Sequence, residues 1–193
     1  MTDISEKENI IENARNGDQA AWSVIVRQHQ EAVFRMAYLV LRDAARAEDI
    51  AQETFIRAFR SLDKFDTARP LRPWLLKIAK NLAYNQQRSL RRYFTAVQRW
   101  FETQPTATPS PNDIAMRTDQ SATIHAAITN LKQSDQEIIY LRYFLDLSVS
   151  ECAEVLGIAS GTVKSRSSRA LSQLRKIIER DDASLQQEVV DER

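Results

Sequence analysis

The sequence is poor in glycine and cysteine, and it has no long apolar run. Only 3 of its 193 residues are glycine, which is too few for a fold with many tight turns and predicts an all-helical chain. The single cysteine, Cys152, cannot form a disulfide within the chain. Because we find neither a signal-peptide pattern nor an apolar stretch long enough to span a bilayer, we expect no membrane insertion and a reducing, cytoplasmic setting.

The chain also lacks the motifs of enzymes that act on nucleic acids. It has no glycine-rich phosphate loop, no paired His and Cys residues at metal-ligand spacing and no nucleophile with a plausible base. His29 has no second ligand at a suitable spacing, and we expect Cys152 to be a small packing residue rather than a redox sensor. A helical nucleic-acid enzyme is therefore a weak alternative, and we expect no catalytic residue, metal or cofactor.

Charge is nearly balanced over the whole chain but is segregated along it. The chain has 27 Lys and Arg residues against 26 Asp and Glu residues. Residues 57–99 hold 11 basic residues and only two acids, whereas residues 179–193 hold six acids and two arginines. Charge sorted in this way predicts contact with nucleic acid at particular faces.

A helix-turn-helix is predicted for residues 134–178. Two helix-start signals of the Ser-x-x-Glu type occur, one at Ser134 and one at Ser148. Gly157 is expected to end a helix of roughly eight residues, and a turn of about four residues leads to a second helix at about 162–178.

The second helix of this motif has two distinct faces. With Val163 pointing inward, apolar or small residues lie within roughly 40° of it, and Leu171 and Ile178 are expected to flank this inner face. No acid occurs from 160 to 176. Small hydroxyls between long cations would let the helix enter the major groove. The alternative is a solvated face of an antiparallel bundle. The residues predicted to bind duplex DNA are Thr162, Lys164, Ser165, Ser168 and Arg169.

Apolar periodicity predicts four helices in the N-terminal half. They cover residues 4–16, 19–42, 45–62 and 72–92. The third has a wide apolar stripe that is expected to be buried and includes Phe55 and Phe59. Gly17 should end the first helix, Asp18 should cap the second, and Pro73 should begin the fourth. The second helix is expected to break near His29 and Gln30.

An acidic patch and a cationic stripe stand out on these helices. The patch consists of Glu48, Asp49, Gln52 and Glu53; it could bind a basic partner, or it could simply complement a helix dipole. The stripe, on the fourth helix, suits unpaired bases because amides can hydrogen-bond to base edges while a ring stacks on them; a solvated basic helix is the alternative. Its residues are Lys77, Asn81, Asn85 and Arg88, with Lys80, Tyr84, Arg91 and Arg92 beside them.

Residues 101–120 have no periodicity and contain three prolines among polar residues. They are expected to form a flexible, partly extended linker between two small helical domains. About 20 such residues could span roughly 60 Å, enough for two modules to contact two sites on one duplex. A spacer without further function is the alternative.

The motifs GDQAAWSVIVRQHQEAVFRMAYLVLRDAARAEDIAQETFIRAFRSLDKF, LRPWLLKIAKNLAYNQQRS and LSVSECAEVLGIASGTVKSRSSRAL occur in this order. Together they resemble the two conserved modules of an extracytoplasmic-function (ECF) sigma factor of bacterial RNA polymerase. The resemblance implies an N-terminal region-2-like domain at 1–100, the linker at 101–120, a region-4-like domain at 121–179 and an acidic tail at 180–193.

The resemblance also implies roles for the surfaces. The patch at Glu48 to Glu53 would bind the clamp helices of the largest subunit of core RNA polymerase. The fourth helix would bind and help to melt the minus-10 element, the helix-turn-helix would recognise the minus-35 element of promoter DNA, and an anti-sigma factor is an expected partner. Asn85 stands where the family often has an acid, and Ala159 stands where it often has Pro.

A second function remains open on the sequence alone. A helix-turn-helix activator with an N-terminal sensor domain would need no polymerase-docking patch and would usually bind DNA as a dimer.

Overall fold

The computed structural model describes the backbone of residues 2–102 and 120–191 and the side chains of residues 9–95 and 124–180. Within these ranges every regular element is a helix, which confirms the predicted all-α class. The chain divides into two compact units, built mainly from the residues before and after the gap. Nearly all of the predicted linker, residues 103–119, lies outside the described residues.

The N-terminal unit is a bundle centred on its second helix. The elements are α1 (Thr2–Arg15), α2 (Gln19–Leu41), α3 (Ala44–Ser61), a 3-10 turn (Leu62–Lys64) and α4 (Leu71–Glu102). Helix α2 packs against each of the other three helices, and α3 also packs against α4.

The junction between α1 and α2 follows the predicted signals. Gly17 has a φ of +89°, a left-handed conformation that glycine adopts without strain. Asp18 then caps α2, because its Oδ1 accepts from the backbone N–H groups of Ala20 and Ala21 at 2.8 and 3.2 Å.

The predicted break in α2 near His29 and Gln30 was wrong, and α4 is longer than predicted. Both helices lack an interior glycine, so nothing in the backbone interrupts them. In the polar run at 27–31 every residue except His29 is exposed, so this turn of the continuous α2 lies largely in solvent. Pro73 is the third residue of α4 rather than the first. Because the first four N–H groups of a helix have no acceptor within it, proline at this position removes no hydrogen bond.

The core of the N-terminal unit is made of fully buried side chains from α2, α3 and α4. Burying each large apolar side chain contributes about 1.5–3 kcal/mol relative to leaving it in water. The core includes Ile25, Val33, Met36, Ala37, Ala47, Ala58, Leu75, Leu76 and Ala79.

The C-terminal unit contains the helix-turn-helix. The elements are α5 (Gln120–Thr129), α6 (Gln133–Ile139), a π-helical continuation (Tyr140–Phe144), α7 (Val149–Leu156) and α8 (Ser160–Asp191). Helix α6 packs against the long α8, and α5 packs against both.

One of the two predicted helix-start signals in this unit is correct. Ser148 and the residue three positions later, Glu151, form both hydrogen bonds of a capping box at the start of α7. Gly157 ends α7 in a left-handed conformation with a φ of +66°. The signal at Ser134 was wrong, because the N-cap of α6 is Lys132 and Ser134 already lies in the helix.

The first and last turns of α8 also differ from expectation. The helix begins at Ser160, two residues earlier than predicted, so the turn after α7 has three residues rather than four. It continues to Asp191 instead of ending near residue 178. Segment 160–191 contains glycine only in its first turn and no proline, so no residue type within it enforces a stop.

Substitution of Ser148 by Ala is expected to cost about 1 kcal/mol of stability, because the first turn of α7 loses the acceptor for the Glu151 N–H. Urea unfolding of the full chain, together with amide hydrogen exchange in α7, measures this. Ser172→Ala, at an exposed serine of α8, is the control. Equal stability of the two variants would show that the Ser148 hydroxyl contributes nothing to the cap.

Candidate nucleic-acid interface

The acidic patch lies on the solvent side of α3. Glu48, Asp49 and Gln52 are exposed, and Glu53 is half-buried. Glu53 accepts from Arg57 one turn later at 2.6 Å. The opposite side of the helix holds buried residues, which fixes the direction in which the patch points. These are Ala47, Ile50, Thr54, Phe55 and Ala58.

The patch continues into an apolar surface that the sequence did not reveal. Ile56 is 45% exposed and Phe59 is 51% exposed. At about 100° per residue, both lie on the same side of α3 as the acids. Phe59 was predicted to be buried, but its ring only lies edge-on against Trp22, with a centroid distance of 5.2 Å. The solvent side of α3 is therefore acidic in its first half, and in its second half it exposes these apolar side chains beside Arg57 and Arg60.

The cationic stripe of α4 is exposed over its whole length. Lys77, Asn81, Asn85 and Arg88 all point into solvent, and Lys80 beside them is half-buried. From its start, α4 carries no acid before Glu102. A surface without acids keeps its positive potential and favours the phosphates of nucleic acid.

Two side-chain hydrogen bonds hold residues in the stripe or next to it in place. Arg88 donates from Nη2 to Oδ1 of Asn85 at 2.7 Å, which engages that amide oxygen and leaves the amide NH2 as a donor. Gln87 donates to the carbonyl of Val40 at 3.0 Å, which ties α4 to the end of α2.

Tyr84 was predicted to contact DNA, and the structure contradicts this. Its side chain is only 3% exposed, so its ring is not available to stack on a base. Burying a large aromatic ring removes much apolar area from water, which favours the core even at the edge of a polar stripe. Tyr84 is therefore a core residue and not part of the candidate interface.

Other aromatic side chains of α4 are exposed. Tyr93 and Phe94 are 64% and 61% exposed, and their rings meet edge to face at a centroid distance of 5.8 Å. Arg91 and Arg92 precede them and are also exposed. The periodicity of the fourth helix did not indicate this pair. The available signal was the occurrence of two adjacent aromatic residues within a basic segment.

The outer face of α8 matches the expected division of that helix. Val163 and Ala170 are fully buried. All five residues predicted to bind duplex DNA are exposed: Thr162, Lys164, Ser165, Ser168 and Arg169. The hydroxyl of Ser165 donates back to the carbonyl of Thr162 at 3.2 Å. Leu171, which was expected to flank the inner face, is instead 42% exposed.

The structure adds a residue to this face that the sequence did not indicate. Arg169 points its Nη2 at Oδ1 of Asp135 on α6, at 3.5 Å. The two residues lie 34 positions apart in the chain. No sequence pattern connects them, because the contact arises from the packing of α6 against α8.

The described part of the chain contains no group of three His, Cys, Asp or Glu residues that could hold a metal ion. Burial raises the pKa of Cys152 to about 11, so this thiol stays protonated at neutral pH. Burial, and then the charge of Arg72, lower the pKa of His29. None of the helices searched is long and apolar enough to cross a membrane.

Two family models match the chain. Residues 25–93 match Sigma-70 region 2, and residues 121–174 match Sigma-70, region 4. The first match contains the acidic patch and the α4 stripe, and the second contains the helix-turn-helix.

The proteins similar to this chain include ECF sigma factors. The ECF RNA polymerase sigma factor SigW of Bacillus subtilis is 33% identical over 86% of this chain and 93% of its own length. The structure of CnrH with the cytosolic domain of CnrY shares the fold, with a TM-score of 0.70, 24% identity and coverage of 91% of this chain and 98% of the other.

The sigma factor RpoE of Bartonella quintana, solved with the anti-sigma factor NepR, has a TM-score of 0.60 and 25% identity, and the match covers 81% of this chain and 96% of the other. The two family models and the similarity to SigW agree with the geometry of the two units. The chain belongs to the ECF family of RNA polymerase sigma factors.

Proposed function

We propose that the acidic patch, the α4 stripe and the outer face of α8 are the three surfaces with which this alternative sigma factor directs promoter-specific transcription initiation. The observation that carries the proposal is that a single helical unit exposes both an acidic and a cationic surface, on α3 and on α4. A module that only bound DNA would have no use for the acidic one.

The acidic patch is assigned to core RNA polymerase. Glu48, Asp49, Gln52 and Glu53 would meet basic residues of the clamp helices in the largest subunit. Ile56 and Phe59 expose apolar side chains on the same side of α3. These side chains would form the apolar contact area from which water is excluded, and the acids would form the charged rim around it.

The α4 stripe is assigned to the minus-10 element. Lys77, Lys80 and Arg88 would hold phosphates, while Asn81 and Asn85 would hydrogen-bond to bases that leave the duplex on melting. The amide NH2 of Asn85 is suited to this, because Arg88 already occupies the amide oxygen at 2.7 Å.

The outer face of α8 is assigned to the minus-35 element. Thr162, Ser165 and Ser168 are small enough to let the helix lie deep in the major groove. Lys164 and Arg169 flank these hydroxyls and would reach phosphates or guanine edges.

The functional division of the chain follows these assignments. Region 2 would occupy residues 1–100 and region 4 residues 121–179, with residues 101–120 as the connection and residues 180–193 as an acidic tail. The protein would act in the cytoplasm without enzymatic activity. An anti-sigma factor is a proposed partner, supported by the similarity to the RpoE chain solved with NepR.

A helix-turn-helix activator with an N-terminal sensor is not favoured. The N-terminal half matches Sigma-70 region 2 over residues 25–93, where a sensor would have an unrelated domain.

Run-off transcription tests the proposal. Core RNA polymerase reconstituted with this protein is expected to produce transcripts from a subset of a random promoter library, and core enzyme alone is the control. The selected promoters should share two conserved boxes. Transcripts without an enriched upstream box would contradict the assignment of α8, and a complete lack of initiation would contradict the proposal as a whole.

A further inference from the structure

A buried carboxylate lies against the outer face of α8. Asp135, in the first turn of α6, has a side chain that is only 1% exposed, whereas the side chain of Arg169 is 59% exposed. The Nη2 of Arg169 lies 3.5 Å from Oδ1 of Asp135. A buried carboxylate has lost its hydration and therefore needs a compensating charge or hydrogen bond. Two solvated side chains that form an ion pair at a surface have no such need.

The contact constrains the arginine from one side only. A guanidinium group is planar and carries five donors, so an acceptor at Nη2 limits the rotation of the whole plane. Asp135 is itself held in place, because α6 packs against α8. The rest of the guanidinium faces solvent, which leaves other donors available to a ligand.

We propose that Asp135 is a positioning residue for promoter recognition. It holds the guanidinium of Arg169 in the orientation in which the outward donors meet a base edge of the minus-35 element. Recognition of guanine by two parallel hydrogen bonds requires such a fixed plane. This inference rests on the proposed role of the α8 face.

Binding of the reconstituted holoenzyme to promoter fragments tests it. Each position of the minus-35 element is varied through all four base pairs, and the affinities are compared for the parent, Asp135→Asn, Arg169→Ala and the double variant. Asp135→Asn is expected to reduce discrimination roughly 3- to 10-fold at one base pair, the same pair that Arg169→Ala affects. In the Arg169→Ala background, Asp135→Asn should reduce this discrimination no further.

Glu137→Gln is the matched control. Glu137 is a buried acid on the same helix, and its Oε1 accepts from Gln133 at 2.9 Å. This variant should leave the pattern of base discrimination unchanged. The inference is overturned if Asp135→Asn weakens binding equally for all base pairs, or if it still lowers discrimination in the Arg169→Ala background. Either result would mean that Asp135 has only a structural role.

The failure of the inference and that of the proposed function are distinguishable. If Arg169→Ala changes discrimination at one base pair and Asp135→Asn does not, only the inference fails. If Arg169→Ala has no base-specific effect, the assigned role of Arg169 fails, and the inference fails with it.

A measurement on the parent chain covers the case in which Asp135→Asn does not fold. In the full-length protein with 15N-labelled arginine, the guanidinium of Arg169 should rotate slowly and give separate Nη signals. A single averaged signal would show that Asp135 does not restrain it.

Discussion

The double variant Glu48→Lys, Asp49→Lys is expected to bind core RNA polymerase on the order of 100-fold more weakly than the parent, because like charges placed against each other at an interface cost several kcal/mol. Both side chains are exposed, so the fold should persist. We choose them over Glu53, whose reversal would also break its ion pair with Arg57 at 2.6 Å. Competition with a fluorescently labelled parent protein for core enzyme measures the loss.

The control for this variant has the same change in net charge. Glu31→Lys combined with Glu179→Lys reverses two exposed acids that lie outside α3. Its affinity for core enzyme should stay within about twofold of the parent, since exposed substitutions away from an interface usually have small effects. If the two double variants bind equally well, the patch on α3 is not the docking surface.

Substitution of Asn81 by Ala is expected to spare polymerase binding and closed-complex formation but to lower the yield of open complex by about tenfold. An amide that holds an extruded base offsets part of the few kcal/mol that unstacking costs, and alanine cannot do this. The exposed position of Asn81 means that the folded unit should be unaffected. Permanganate footprinting of the minus-10 element in the reconstituted holoenzyme measures strand opening directly.

Gln28→Ala provides the comparison for Asn81→Ala. Gln28 is an exposed amide of the same unit, on α2 rather than α4. It should open promoters like the parent. Parent-like permanganate reactivity in Asn81→Ala would remove Asn81 from the melting surface while leaving the docking surface on α3 untouched.

Much of the fold follows from local rules. Asp18 and Ser148 cap helices, and Gly17 and Gly157 end them, because these signals act over three or four residues and need no tertiary partner. Helix lengths were harder to predict. The sequence marks where a helix can start but sets no limit on α4 or α8, since neither has an interior residue that forces a stop.

Predictions of burial failed at the edges of the apolar stripes. Periodicity placed Phe59 in the core and Tyr84 on the surface, and the structure reverses both. A helical wheel gives the angle of a residue but not the area that neighbouring helices cover. Near the edge of a stripe, the arrangement of α2, α3 and α4 decides burial.

The sequence by itself determined the helical class, the helix-turn-helix and the division of α8 into an apolar and a basic face, because periodicity and capping are local properties of the chain. Only the tertiary structure decided that apolar side chains of α3 join the acidic patch, that Tyr84 is buried and that Asp135 meets Arg169. The last contact joins residues 34 positions apart. Such contacts depend on which helices pack together, and the pattern of one helix does not contain that information.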